Sequence, residues 1–324
     1  MSPRAVRSIG LFATALLAAV CLRVLATSGG LELPSLIVLR ELRAPALVSA
    51  MTIGAALAVA GVLLQALLRN PLAEPWMLGL LSGAGFGVVV WTLAGYLASG
   101  AIVRQESPVI PAAAGAFAAL GLVYGLSQRR GLVDPVSLIL IGVVISVIAH
   151  AASQFMQAML PDSGLALYRR WLMGGISADT AWGTIGLVAG ITFACIAIAA
   201  WLGPSMDAAS LSDDEARSVG VGLARLRIVS FALAGILTAG TVLLAGPIGF
   251  VGLICPHLAR LLGGPRHRGV VIGSALAGAA LLVLADAAAQ MLVLRSGHVP
   301  VGVLTAIVGG PLFIVLLRRG RWLA

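Results

Sequence analysis

Lysine is absent from this chain of 324 residues, so all 21 basic residues are arginine, against 12 acidic ones. Charged residues reach only 10% of the sequence and aromatic residues 5%. So little polar material excludes a soluble domain, which needs a polar skin over its core. The net charge of +9 does not point to nucleic acid, because no basic cluster has interleaved aromatics. An arginine-only bias is what a GC-rich genome produces. Cysteine is sparse too. Cys21, Cys195 and Cys255 lie in apolar runs, in odd number and at no metal-binding spacing, and read as small packing residues.

Several chemical motifs are also missing. Without a GxxxxGK[ST] loop the chain is not expected to hydrolyse nucleotide by itself. HExxH, CxxC and GxSxG do not occur, and His257 and His267, flanking Arg260 and Arg266, match no metal site. An intramembrane enzyme would need paired acids or a Ser/His pair within its apolar runs, yet Asp286 is the only acid clearly inside one. No catalytic residue and no metal site are therefore assigned.

What remains is apolar. Hydrophobic residues make up 60% of the chain, with a mean hydropathy of +1.06. A helix crosses the bilayer core with about 20 apolar residues, so the length allows roughly nine to eleven spans. Long continuous runs favour helices over a β-barrel, and the 40 glycines suit close helix packing in lipid. About ten spans are assigned, near 9–27, 46–68, 76–98, 109–127, 136–159, 182–202, 228–245, 247–262, 270–292 and 301–317. The first follows Arg4 and Arg7 like a signal peptide, but no polar domain succeeds it, so it is read as a span. The expected class is all-α and polytopic, with a single transmembrane domain over 1–324.

Arginine placement orients the spans. With the N-terminus inside, the inner ends hold Arg4, Arg7, Arg69, Arg129, Arg130, Arg217, Arg225, Arg227, Arg266, Arg268, Arg318, Arg319 and Arg321. The outer ends hold fewer: Arg23, Arg40, Arg43, Arg104, Arg169, Arg170 and Arg295. Both termini are therefore expected in the cytoplasm, together with the longest polar stretch, 203–227.

That stretch holds Asp207, Asp213, Asp214, Glu215, Arg217, Arg225 and Arg227. Within it Leu211–Val219 reads as a short helix: Ser212 can cap it, the acids occupy the first turn and Arg217 lies near the end. Gly220 and Gly222 stop it, and a second short turn over Ala224–Arg227 leads into the next span. Such a loop either presents itself to a soluble partner or is a solvated connector.

Polar residues inside spans are costly and by default face a cavity or a partner helix. The fifth span carries His150, Gln154, Met156 and Gln157. These are candidates to line a pathway, although His150 and Met156 also read as packing residues. Ala166–Gly175, with Tyr168, Arg169, Arg170 and Trp171, reads as an interfacial helix. Asp286 is expected to have a hydrogen-bonding partner. Gly246-Pro247 marks a reversal, and Pro256-His257 is expected to interrupt the following span. A faint repeat links AGVLLQALLRNPLAEP from Ala60 with AGTVLLAGPIGFVGLICP from Ala239, which suggests an internal duplication.

Taken together, five segments carry a resemblance: GVLLQALLRNPLAEPWMLGLLSGAGFG at 61–87, WLMGG at 171–175, LSDDEARSVGV at 211–221, GPIGFVGLICPHLARLLGGPRHR at 246–268 and VPVGVLTAIVGGPLFIVLLRR at 299–319. In this order the chain resembles the permease subunits of bacterial ABC importers for iron-siderophores, haem and cobalamin. The resemblance implies a cobalamin-permease-like fold of ten spans in the inner membrane and a second permease copy, expected as a homodimer. It also implies two cytoplasmic ATPase subunits, which hold the ATP, and a periplasmic binding protein; no permanently bound cofactor is implied. The 203–227 loop would meet the ATPase through Asp213, Asp214, Glu215, Arg217 and Gly220. Arg40, Arg43 and Arg295 would receive the binding protein. Departures fall at RELR (40–43), where the family has RxPR, at Ser212 for Gly, at Gln290 for Arg and at His298 for an acid. The implied cargo is a metal chelate, with haem favoured through His150, Met156, Met159 and His298. The competing readings are an ion-coupled secondary transporter, which would need ionisable residues in mid-span, and a structural membrane subunit.

Overall fold

The computed structural model describes residues 3–27, 29–100, 108–129, 132–294 and 297–318. In chain order the α-helices are α1 (Pro3–Leu25), the single turn α2 (Leu36–Val38), α3 (Ala44–Leu68), α4 (Leu80–Ser99), α5 (Val109–Leu126), α6 (Pro135–Gln157) and α7 (Asp162–Leu172). After them come α8 (Trp182–Trp201), α9 (Gly203–Ala209), α10 (Asp213–Ser218), α11 (Leu223–Ala245), α12 (Val251–Gly263), α13 (His267–Met291) and α14 (Val301–Arg318). Three two-residue antiparallel ribbons tie helix ends together, with Ala26 opposite Leu31, Gln128 opposite Val133 and Val293 opposite His298.

Among the described residues, 8 helices are long and apolar enough to cross a membrane, and α12 and α14 are shorter apolar helices. Together they occupy the ten expected spans. Boundaries move where local chemistry extends a helix beyond its apolar run. The second span begins at Leu36, because α2 runs through a π-helical turn, Leu39–Arg43, into α3. At that turn the Ala44 N–H reaches back five residues to the Leu39 carbonyl, and Pro45 has no N–H to complete an ordinary turn. The interfacial helix starts at Asp162 and ends at Leu172, ahead of Gly174, whose φ is +66°. No separate turn precedes α11: it runs unbroken from Leu223, since buried Leu223 and Leu226 extend its packed stripe.

Three helices form the centre. The apolar windows of α3, α13 and α11 are 78%, 72% and 67% buried, against 22% for α1, α5 and α6. Glycine permits this crowding. A Cβ on Gly54 would lie 2.1 Å from the Gly278 carbonyl oxygen of α13, and one on Gly61 would lie 2.0 Å from the Gly252 oxygen of α12. Gly246, at φ +69°, ends α11 as expected. Pro256 does not interrupt α12, contrary to the sequence reading: the helix runs on to Gly263, and the carbonyl that Pro256 leaves free bonds to α3 instead. The two repeat-like segments lie side by side. α3 packs on α11, and the turn after α3 meets the start of α12, where the Phe250 N–H donates to Glu74 Oε1 at 2.6 Å.

Alternation of the spans sorts the connections onto two faces. One face, here the loop face, gathers the start of α1, the end of α3, α9, α10, the start of α13 and the end of α14. The other gathers α2, the π-helical turn, α7 and the start of α14. Contacts agree with this: Gly263 abuts Ser8 on the loop face, and Gly174 abuts Pro247 on the opposite face.

Candidate functional site

The loop-face site is built from two short helices. Ser212 Oγ accepts from the Glu215 N–H at 3.2 Å, while Glu215 Oε2 accepts from the Ser212 N–H at 2.9 Å. This reciprocal cap, with three acids in the first turn and Arg217 in the last, makes α10 stable for its length. α10 covers 213–218, shorter than the expected 211–219, because Ser212 is spent as the cap and the Leu211 N–H closes the end of α9 on Ala208. Gly220 sits at φ +84°, and the neighbouring Val221 N–H returns to the Ala216 carbonyl at 3.0 Å, the arrangement expected of a glycine stop.

The pair is tied to all three central helices. Asp213 accepts from Arg227 of α11 at 2.9 and 3.1 Å and from Arg69, which follows α3, at 2.6 Å. Arg69 also donates twice to the Ala209 carbonyl at the end of α9, at 2.9 and 3.2 Å. Asp207 of α9 accepts from the backbone N–H of His267 at 2.8 Å, and its Oδ1 lies 2.7 Å from the His267 ring Nδ1 at the start of α13. Burial alone would raise the Asp213 pKa. The Arg227 charge and the hydrogen bonds from Arg227 and Arg69 outweigh it and hold the carboxyl below its ordinary 3.8.

The expected loop residues therefore divide. Asp213 turns inward to the tether, and Glu215 is occupied by the cap. Asp214 and Arg217 point outward, with side chains 96% and 57% exposed and 3.6 Å apart. Exposed Leu211 and Val219 flank them, giving the outer surface an apolar component that sequence reasoning did not assign. Arg69, Asp207 and His267 were also missed. Their partners are distant in sequence, so no local pattern reports them.

On the opposite face the expected arginines differ. Arg40 is 85% exposed at the side chain, with Glu41 3.7 Å away. Arg43 donates to the Val24 carbonyl at the end of α1. Arg295 lies outside the described residues. Asp286 has the partner expected of it, being paired in the interior with Arg23 of α1.

On α6, His150 Nε2 and Gln154 Nε2 lie 3.0 Å apart on the exposed strip that also carries Val143, Val147 and Phe155. Gln157 lies at the margin of that strip. Met156 points the other way and packs against the core, so the structure does not bring it together with the other three.

Residues 5–319 match the model of the FecCD transport family. The chain belongs to that family. Among its relatives, a vitamin B12 import system permease of Yersinia enterocolitica is 36% identical over 282 residues, 86% of this chain and 81% of the relative. An Fe(3+)-citrate import system permease of Bacillus subtilis is 33% identical over 285 residues, 87% and 82% of the two chains. A solved structure of a transporter assigned to the metal-chelate ABC type, in an inward-facing conformation, superposes with a TM-score of 0.83 at 29% identity. It covers 97% of this chain and 99% of that one. The FecCD chain is thus a permease subunit of an ABC importer, with the cobalamin-permease-like fold, and a transport protein of the bacterial inner membrane.

Proposed function

We propose that this permease works as one of two copies in an ATP-driven importer that carries a metal chelate from periplasm to cytoplasm. The loop face, with both termini, is cytoplasmic. There the surface of Leu211, Asp214, Arg217 and Val219 seats on an ATPase subunit, one for each copy. ATP is held by that partner, and no cofactor stays bound to the permease. The observation that carries this reading is the capped α10, held to α3 and α11 through Asp213, with its outer surface exposed. A passive connector needs neither the cap nor the tether.

A periplasmic binding protein docks on the opposite face, with exposed Arg40 as a contact; Arg295 is a further contact proposed from the family resemblance. The cargo crosses beside the α6 strip of His150, Gln154 and Gln157. We place haem ahead of ferric siderophores and cobalamin, because exposed His150, Met159 and His298 are ligand types suited to haem iron. The inward turn of Met156 removes one residue from that set. An ion-coupled mechanism is disfavoured, since its strongest mid-span candidate, Asp286, is matched by Arg23.

Gly220→Val tests the loop. A β-branched residue is strained at φ +84°, so α10 should be misdirected. In proteoliposomes carrying the ATPase and the binding protein, stimulated ATP hydrolysis and uptake should fall together, with membrane insertion and binding-protein docking retained. Wild-type values for both would remove the loop from the mechanism. Uptake of haem, cobalamin and a ferric siderophore compared in the same vesicles tests the cargo.

A further inference from the structure

Arg69 occupies an unusual place. It ends α3 in the left-handed conformation, φ 46° and ψ 36°, where glycine is the ordinary choice. A non-glycine residue there carries backbone strain that the contacts of its side chain must offset. Its guanidinium forks between two targets: the carbonyl end of α9, through Ala209, and the carboxylate at the start of α10, through Asp213. One planar group thus closes both loop helices onto α3, the most buried span. α3 leads inward from there. Gln65, one turn earlier, donates to the Gly252 carbonyl of α12 at 3.1 Å and accepts from Arg260 at 2.6 Å. Phe250, at the start of α12, lies against α14, for a Cβ on Gly309 would sit 2.6 Å from the Phe250 Cβ.

We infer that Arg69 is a positioning residue for transport: it does not contact the ATPase but makes α9, α10 and α3 move as one body, passing displacement of the loop to α12 and α14. This rests on the reading of 203–227 as the ATPase seat. Arg227 holds Asp213 independently, so removing Arg69 leaves α10 attached to α11 and its outer surface in place. The lost function is transmission, not docking.

Arg69→Gly separates the two, because glycine adopts the backbone conformation without strain while deleting the guanidinium. The complete complex with ATPase and binding protein is reconstituted in proteoliposomes, and ATPase co-purification, ATP hydrolysis and uptake are measured in one preparation. We expect co-purification and hydrolysis close to wild type, with uptake per ATP reduced at least tenfold. Arg69→Lys, lacking the fork, should fall between the two. A spin-label pair joining α10 to α12 should show a distance change on ATP trapping in wild type that shrinks in Arg69→Gly. Unchanged uptake per ATP would overturn the inference. So would loss of ATPase co-purification in Arg69→Gly alone, which would make Arg69 part of the seat. Failure of the wild-type chain to retain an ATPase would instead overturn the reading of the loop.

Discussion

Gln65 of α3 supplies the hydrogen bond that Pro256 cannot. In an unbroken α12, residue 256 would donate its N–H to the Gly252 carbonyl. Proline has none, and Gln65 Nε2 lies 3.1 Å from that oxygen. The same amide accepts from Arg260 through its oxygen, at 2.6 Å. Helix α12 therefore stays continuous through a proline because another helix completes it.

Gln65→Leu should leave the buried Gly252 carbonyl without this donor and the half-buried Arg260 guanidinium without this acceptor, at a cost of about 1–3 kcal/mol. Pro256→Ala restores a backbone donor, so Gln65→Leu should cost less in that background. Thermal denaturation of the four proteins in detergent forms the cycle. Equal losses in both backgrounds would show that Gln65 does not serve the proline.

Glycine-mediated contacts give a second prediction. Gly54→Ala would place its methyl 2.1 Å from the Gly278 oxygen, with backbone on both sides of the contact and no flexible side chain to yield. A loss of about 1–3 kcal/mol, with reduced yield of folded protein, is expected. Gly95 is the control within the membrane region: among the described residues no atom lies within 4 Å of where its Cβ would stand, and Gly95→Ala should be neutral. Equal stability of the two variants would contradict the close α3–α13 approach.

How much of this was legible beforehand depends on range. The cap at Ser212, the acidic first turn and the stop at Gly220 lie within nine residues, and backbone chemistry writes such signals locally. Asp286 announced a partner because a lone carboxylate in an apolar run demands one, but nothing in the run named Arg23. Arg69 and Asp213 are 144 positions apart, and Gln65 and Gly252 are 187 apart. Each looks ordinary in its own segment, and only packing joins them. Pro256 misled for the same reason, since its helix is continued by a residue outside the local pattern.

Arg40 and Arg43, three residues apart, should behave differently. Arg40, exposed beside Glu41, is proposed to meet acidic groups of a binding protein, so Arg40→Glu should slow association roughly tenfold at low salt, with the difference shrinking at high salt. Arg43 holds the end of α1 through Val24, so Arg43→Ala should lower thermal stability and affect docking less. Surface plasmon resonance across salt concentrations, beside melting curves, tests both halves. Identical behaviour of the two variants would refute the division.

The last prediction concerns pH and the loop tether. Asp213 faces Arg69 from the end of α3 and Arg227 from α11, and its carboxyl is held below its ordinary 3.8. Because the folded value lies below the unfolded one, the carboxylate's contribution is fully present above pH 3.8 and is lost only as pH falls through the depressed value. Glu215 is shifted the same way by its bonds to Ser212, so Glu215→Gln is needed to separate the two groups. The readout is a spin label at Val219→Cys, with Cys21, Cys195 and Cys255 replaced, in nanodiscs. Its mobility should hold steady from pH 7 to about 4 and rise only below. Asp213→Asn should be mobile already at pH 7, since a neutral amide oxygen accepts more weakly than a carboxylate and brings no charge to pair with the two guanidinium groups. Glu215→Gln should fray the start of α10 yet keep the acid transition. If Asp213→Asn reproduces the wild-type profile, the loop helices are held through Arg69 to the Ala209 carbonyl and through Asp207 to His267, and the Asp213 ion pairs contribute nothing to the seating of α10.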